Sequence, residues 1–181
     1  MERTLIDQLV RKAQLGDREA FSEIVRLLMN KTIALTYKMT GNREAAADLA
    51  QDSFLSAWTN IGSFKGESKF ESWIYKIASN KTLNFLKREK RYVDSNSSIE
   101  IKSEDNPELD YNRQELKKNI MEFMMSLPSE QRLVFELHFY KQMTFDETAQ
   151  ATGKSEGTVK TLYREAVKKL RKTAFNKGWH S

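Results

Sequence analysis

Apolar residues recur at helical spacing along most of the chain. Leu5, Ile6, Leu9, Val10 and Ala13 form a first stripe, which Gly16 ends. Asp17 is placed to cap a second helix, whose stripe of Phe21, Ile24, Val25 and Leu28 continues through Ile33, Leu35 and Tyr37. Gly41-Asn42 breaks that run, and Asn42 can cap a third helix. Ala47, Ala50, Phe54, Ala57, Trp58 and Ile61 line one side of it. The loop GSFKGESK (62–69) leads into a fourth helix, FESWIYKIASNKTLNFLKREKR (70–91), with Phe70, Ile74, Ile77 and Phe85 on its core side. Beyond a polar stretch, Leu116, Ile120, Phe123, Met124 and Leu127 make a fifth stripe, stopped by Leu127-Pro128. Ser129 is placed to cap a sixth helix, with Leu133, Val134 and Leu137 inward.

The last third carries a sharper pattern. Thr144 and Glu147 have capping-box spacing and open a short helix that ends at Thr152. Gly153 can take the left-handed turn conformation without penalty, and Ser155 can cap the final helix. Ala149 is small where two helices must cross, and Val159, Tyr163, Ala166 and Leu170 face inward. This is helix-turn-helix spacing. With only 7 Gly and 2 Pro, a turn-rich β fold is not expected. The pattern predicts an all-α protein: two small helical domains joined by an acidic linker, the second containing the helix-turn-helix. The boundaries are 1–93, 94–112 and 113–181.

Charge changes the picture through its distribution. Residues 1–93 carry net +5, residues 94–112 net −5 and residues 113–181 net +5. A basic–acidic–basic plan suits two polyanion-binding modules held apart by DSNSSIEIKSEDNPELDYN. Two ordinary domains with a solvated linker fit it equally. There is no Cys, which removes disulfides and thiolate metal sites and suits a reducing, cytoplasmic setting. The two His, His138 and His180, stand far apart, so no metal is expected. No apolar run approaches a membrane span, so no membrane insertion is expected.

Three surfaces carry candidate chemistry. On the third helix, Asp48, Gln51, Asp52 and Leu55 lie together off the apolar stripe. Asp48 and Asp52 are four apart, so their carboxylates share a side and repel slightly. A solvated face, a protein-docking face and a catalytic carboxylate pair all fit, the last without any nearby metal ligand or perturbing partner. On the fourth helix, at about 100° per residue, Lys76, Asn80, Leu83 and Lys87 group away from the core side. Trp73 and Asn84 lie at the boundary, and the preceding loop adds Phe64, Lys65 and Lys69. Cations offset phosphate charge, amides read base edges and rings stack on unpaired bases. Taken singly these residues suit core or surface; taken together they favour single-stranded or locally opened nucleic acid. On the last helix, Ser155, Glu156, Thr158, Lys160, Thr161, Arg164 and Lys168 are left for DNA, unless the helix is simply the basic surface of a small bundle.

The order of these pieces resembles a group IV bacterial sigma factor, the extracytoplasmic function type. AADLAQDSFLSAW (46–58) resembles that family's core-polymerase-binding helix. KFESWIYKIASNKTLNFLKREKR (69–91) resembles its promoter-melting and −10-reading helix, and residues 127–172 resemble its −35-reading domain. The resemblance implies that Asp48, Gln51, Asp52 and Leu55 dock the clamp helices of the polymerase β′ subunit. It implies that Trp73, Tyr75, Lys76, Asn80, Asn84, Lys87 and Arg88 open the −10 duplex and hold its non-template strand, helped by Phe64 and Lys65. Ser155, Glu156, Thr158, Lys160, Thr161, Arg164 and Lys168 would meet −35 DNA. The implied partners are core RNA polymerase, through β′ and the β flap, promoter DNA and an anti-sigma factor. No enzyme activity, cofactor or metal is implied. The chain departs from the family pattern at Leu162, Glu165 and Val167, where Arg is common. An ordinary helix-turn-helix regulator acting without polymerase would leave the third and fourth helices without a role. A helical enzyme built on Asp48 and Asp52 lacks a metal-ligand cluster.

Overall fold

The computed structural model describes residues 2–93 and 111–176, and the side chains of 5–90 and 114–176. Every regular element among these residues is helical. The first module holds α1 (Glu2–Gln14), α2 (Arg18–Thr40), α3 (Arg43–Asn60), a single 3-10 turn (Ile61–Ser63) and α4 (Phe70–Val93). The second holds α5 (Tyr111–Ser126), α6 (Ser129–Phe135), α7 (Phe145–Thr152) and α8 (Glu156–Asn176). After Phe135 the chain continues into a π-helical turn (Glu136–Tyr140), in which the Lys141 N–H donates to the Glu136 carbonyl. Tyr111 and Asn112, placed in the linker from sequence, belong to α5. The rest of the expected acidic linker lies outside the described residues, as does His180.

The punctuation acts as the sequence predicts at most junctions. Asp17 accepts from the Ala20 N–H and Asn42 from the Ala45 N–H, each at 3.0 Å. Gly41 ends α2 at φ 70 and donates to the Tyr37 carbonyl at 2.8 Å; a Cβ there would also press on Met125. Thr144 and Glu147 form the full capping box, and Gly153 turns at φ 68. The exception is α6. Pro128 occupies the cap position with no side-chain bond, and Ser129 is already inside the first turn. Pro128, at φ −52, presets the helical entry, and its carbonyl accepts the Arg132 N–H at 2.9 Å.

Two cores follow from the stripes. The first gathers Ile6, Val10, Ile24, Leu28, Phe54, Phe70 and Ile74. On α3 the buried set includes Ala46 and Leu49, while Ala47 is only half-buried. α3 packs on both α2 and α4, so it buries a broader face than one stripe. The Thr36 hydroxyl crosses from α2 to donate to the Ala46 carbonyl at 2.8 Å. The second core holds Phe123, Met124, Leu127, Phe135 and Ala166, and Val134, Ala149 and Val159 lock the helix-turn-helix beside it.

A third apolar cluster was not foreseen. Leu35 and Met39 of α2, with Tyr75 and Ala78 of α4, pack against Leu133, Leu137, Met143 and Ala151 of the second module. Burying one large aliphatic side chain contributes ~1.5–3 kcal/mol. The two modules therefore join through a core of their own and are not held apart.

Candidate nucleic-acid and protein interfaces

The outward face of α3 is organised as expected. Asp48, Gln51 and Asp52 are exposed, and Leu55 is 67% exposed beside them. Next to Leu55 runs an apolar groove of about 390 Å³ between α2 and α3, lined by Phe21, Val25, Met29, Phe54 and Trp58, with Arg18 at its edge. An acidic rim beside an apolar groove can receive a helix that carries both cations and aliphatic residues. Val25 was missed as a surface residue because its position belongs to the core stripe, and Met29 was assigned to no face. Only the packing of α3 against α2 leaves them half-open.

On α4, Lys76, Asn80, Asn84, Lys87 and Arg88 are all exposed, as is Lys65 in the loop. Trp73 is half-buried. Its ring lies 5.5 Å from that of Phe64 and 5.3 Å from that of Phe70, while Phe64 meets Phe70 edge-on at 5.1 Å. Phe70 belongs to the core, so it fixes the other two rings as a platform. Gln14 secures the loop from the far end of α1, its amide donating to the carbonyls of Ile61 at 3.1 Å and Phe64 at 2.8 Å. No local signal in the sequence marks Gln14 for this.

Two expected members of this surface are elsewhere. Tyr75 is 3% exposed and faces Leu133 and Leu137 of the second module. Its hydroxyl donates to Glu71 at 2.8 Å, and burial, then Glu71, pushes the phenol well above its ordinary pKa. Leu83, grouped with the cations from its helical angle, packs into the same cluster. Both corrections have one cause. The second module covers a side of α4 that periodicity within the first module leaves free.

On α8, Lys160, Thr161, Arg164 and Lys168 are exposed, with Val159 and Ala166 fully buried beneath. Several polar groups there already have helix partners. Ser155 accepts from the Thr158 N–H at 3.1 Å, its hydroxyl meets that of Thr158 at 2.8 Å, and Thr161 donates to the Gly157 carbonyl at 3.0 Å. Glu156 pairs with Lys160. The three departures from the family pattern all pack or brace. Leu162 and Val167 are half-buried against the two clusters beneath α8. Glu165 accepts from Gln131 Nε2 at 2.6 Å, and Lys169 donates to Gln131 Oε1 at 2.8 Å, tying α8 to α6. Glu165 thus has a protein partner in Gln131.

His138 stacks on Phe145 at 4.0 Å and donates from Nδ1 to the Met143 carbonyl at 2.7 Å, a packing role. Among the described residues no group of three or more His, Cys, Asp or Glu is placed to hold a metal ion, and no helix is long and apolar enough to cross a membrane.

Comparison with known proteins accounts for both modules. The profile of sigma-70 region 2 matches residues 24–92, and that of sigma-70 region 4 matches residues 117–170. The ECF RNA polymerase sigma factor SigW of Bacillus subtilis is 31% identical over 179 residues, covering 93% of this chain and 96% of its own. The RNA polymerase sigma-H factor of Pseudomonas aeruginosa is 29% identical over 176 residues, covering 90% and 91%. In fold, the sigma factor RpoE of Bartonella quintana, solved in complex with the anti-sigma factor NepR, aligns with a TM-score of 0.71 at 21% identity, covering 84% of this chain and 95% of that one. Region 2 explains the third and fourth helices, which a bare helix-turn-helix regulator leaves idle. The chain belongs to the sigma-70 family of RNA polymerase sigma factors, in its extracytoplasmic function group.

Proposed function

We propose that the outward face of α3 docks core RNA polymerase, that α8 reads duplex DNA at −35, and that α4 with its preceding loop opens and holds the −10 strand. On α3, Asp48, Gln51, Asp52 and Leu55 supply complementary charge and an apolar anchor for the β′ clamp helices. On α8, Arg164, Lys160 and Lys168 meet phosphates and base edges in the major groove. On α4, Asn80 and Asn84 read unpaired bases, Lys76, Lys87 and Arg88 hold the backbone, and the Phe64–Trp73 platform stacks. In the second module, Phe139 is 52% exposed and stacked on Phe135, and offers an apolar spot for the β flap. The chain acts by binding, without chemistry of its own, in the cytoplasm where polymerase works. An anti-sigma factor, such as the one held by the Bartonella quintana RpoE, would act on it by covering the groove beside Leu55.

The observation that carries this reading is the exposed strip Lys76–Asn80–Asn84–Lys87–Arg88 beside a fixed pair of rings. The test is run-off transcription with added core polymerase, followed by mapping of transcript starts. Shared −35 and −10 elements upstream of those starts are expected. Absence of any transcript, or starts indifferent to Asn80→Ala and Arg164→Ala together, overturns it.

A further inference from the structure

The loop 62–69 is the least regular part of the surface assigned to the −10 strand. Gly62 and Gly66 flank Phe64 and Lys65, and Gly66 sits at φ +76 with open space where a Cβ would stand. Glycine on both sides leaves this backbone freer than any other residue would. At one end Lys69 meets the second module, pairing with Glu147 of α7 at 3.3 Å across the seam between the modules. At the other end the loop is tied inside the first module.

That tie is Gln14, the last residue of α1. The turn that closes α1 places it. The Leu15 and Asp17 N–H groups both donate to the Lys12 carbonyl, the Gly16 N–H donates to that of Ala13, and Ala13 is 1% exposed. From this fixed backbone Gln14 Nε2 donates to the Ile61 carbonyl at 3.1 Å and to the Phe64 carbonyl at 2.8 Å. The Ile61 carbonyl also accepts the Phe64 N–H at 3.1 Å, and Ile61 itself belongs to the first core. A carbonyl held in place fixes the plane of the peptide that follows it. The Phe64–Lys65 plane is therefore set from α1, and with it the point from which Lys65 projects. Phe70 and Trp73 set the Phe64 ring from the other side.

We infer that Gln14 is a positioning residue for base selection: by bridging the two carbonyls it holds Phe64 and Lys65 in the orientation that fits the preferred base of the −10 strand. Part of the −10 preference is then encoded at the end of α1, about fifty positions before the loop that reads it. The inference rests on the assignment of this loop to the opened −10 strand. A loosened loop samples other orientations and accepts other bases. Loss of a hydrogen bond of ordinary net strength shifts such a balance by about fivefold.

The test assembles the full chain with core polymerase on a barcoded promoter pool randomised across the −10 and −35 elements, and sequences the transcripts of a single round. Each variant is read as a ratio between bases at one position, so a general change in DNA affinity cancels. Gln14→Met and Gln14→Glu keep the length of the side chain and remove the donor. Both should flatten the preference at the −10 position that Phe64→Ala flattens, by about fivefold, with −35 preferences as in the parent. Gln14→Lys, which can donate to both carbonyls, should restore the preference. Gln14→Met combined with Phe64→Ala should be no flatter than Phe64→Ala alone, since the one acts through the other. Preferences that survive Gln14→Met, a loss spread equally over −10 and −35, or additive effects in the double variant overturn the inference.

Hydrogen exchange of the free chain gives a readout independent of transcription. Amides of residues 62–69 should exchange faster in Gln14→Met, with α2 and α3 as in the parent; parental rates in the loop overturn the inference. Failure of the underlying assignment would show differently. Phe64→Ala would then alter no preference while the loop amides still responded to Gln14→Met, and the inference would fall with the assignment.

Discussion

α4 and α8 are both long cationic helices, yet the fold clamps them differently. α8 rests on α6 and α7 along one stripe, with Val159 and Ala166 buried and Lys160, Thr161, Arg164 and Lys168 open. α4 is held on two sides, by Phe70 and Ile74 in the first core and by Tyr75 and Ala78 in the seam. A helix held along one stripe can enter a major groove. A helix held along two keeps only a narrow strip for a ligand, but its rings are rigidly placed, which suits stacking on single bases more than duplex reading.

The comparison can be broken from outside both helices first. Asp48→Lys with Asp52→Lys alters neither α4 nor α8, and both positions are exposed, so the fold should persist. Placing like charges at a complementary interface costs several kcal/mol, or on the order of a hundredfold in affinity for core polymerase. Unchanged affinity, measured by fluorescence anisotropy, would return α3 to a solvated face.

Arg164→Ala should weaken binding to closed −35 duplex by about 1–3 kcal/mol and make its salt dependence shallower. On a template already opened at −10 the loss should be much smaller. Equal losses on both templates would remove the distinction between the helices.

Asn80→Ala should slow open-complex formation by about tenfold, the loss of roughly 1.4 kcal/mol, and leave −35 duplex binding alone. A pre-melted bubble should rescue Trp73→Ala if its ring helps separate strands, and should not rescue Asn80→Ala if its amide reads an unpaired base. Permanganate footprints of the −10 region report both. Parental thymine reactivity in both variants on duplex promoter would assign the two residues to packing.

The smallest effect sharpens the seam. Burial raises the Glu147 pKa, but the Thr144 N–H and Lys69 outweigh it, and the carboxyl is held below its ordinary value. Its share of stability is therefore present above the ordinary carboxylate pKa and lost as pH falls through the lowered one. Glu147→Gln should cost about 1 kcal/mol near neutrality, with the difference from the parent closing on acidification. A thermal melt series against pH checks it; a constant difference would take the charge out of the capping box.

The elements were legible where a residue acts on its own neighbours. Asp17, Asn42, Gly41, Thr144, Glu147 and Gly153 each act within a few positions, through local hydrogen bonds and allowed dihedrals. Exposure along α8 was legible for the same reason, since one stripe decides it. Ser129 was misplaced by one position because Pro128 starts α6 without a side-chain cap. Gln14, Gln131 and Lys38 were not legible, because each acts on a residue far along the chain. Leu162 and Val167 looked like missing cations until their burial showed them as packing positions.

By itself the sequence determined the helices, their order, two of the cores, the capping chemistry and the cationic, amide-bearing strip on α4. Those properties follow from periodicity and near-neighbour bonding, which are written in consecutive residues. Only the tertiary structure decided that the modules close on each other, that Tyr75 and Leu83 turn from the exposed cationic strip of α4 into a shared core, and that Glu136 is buried against Lys38. Which surface a helix spends on a second partner depends on where distant segments meet, and helical spacing carries no term for that.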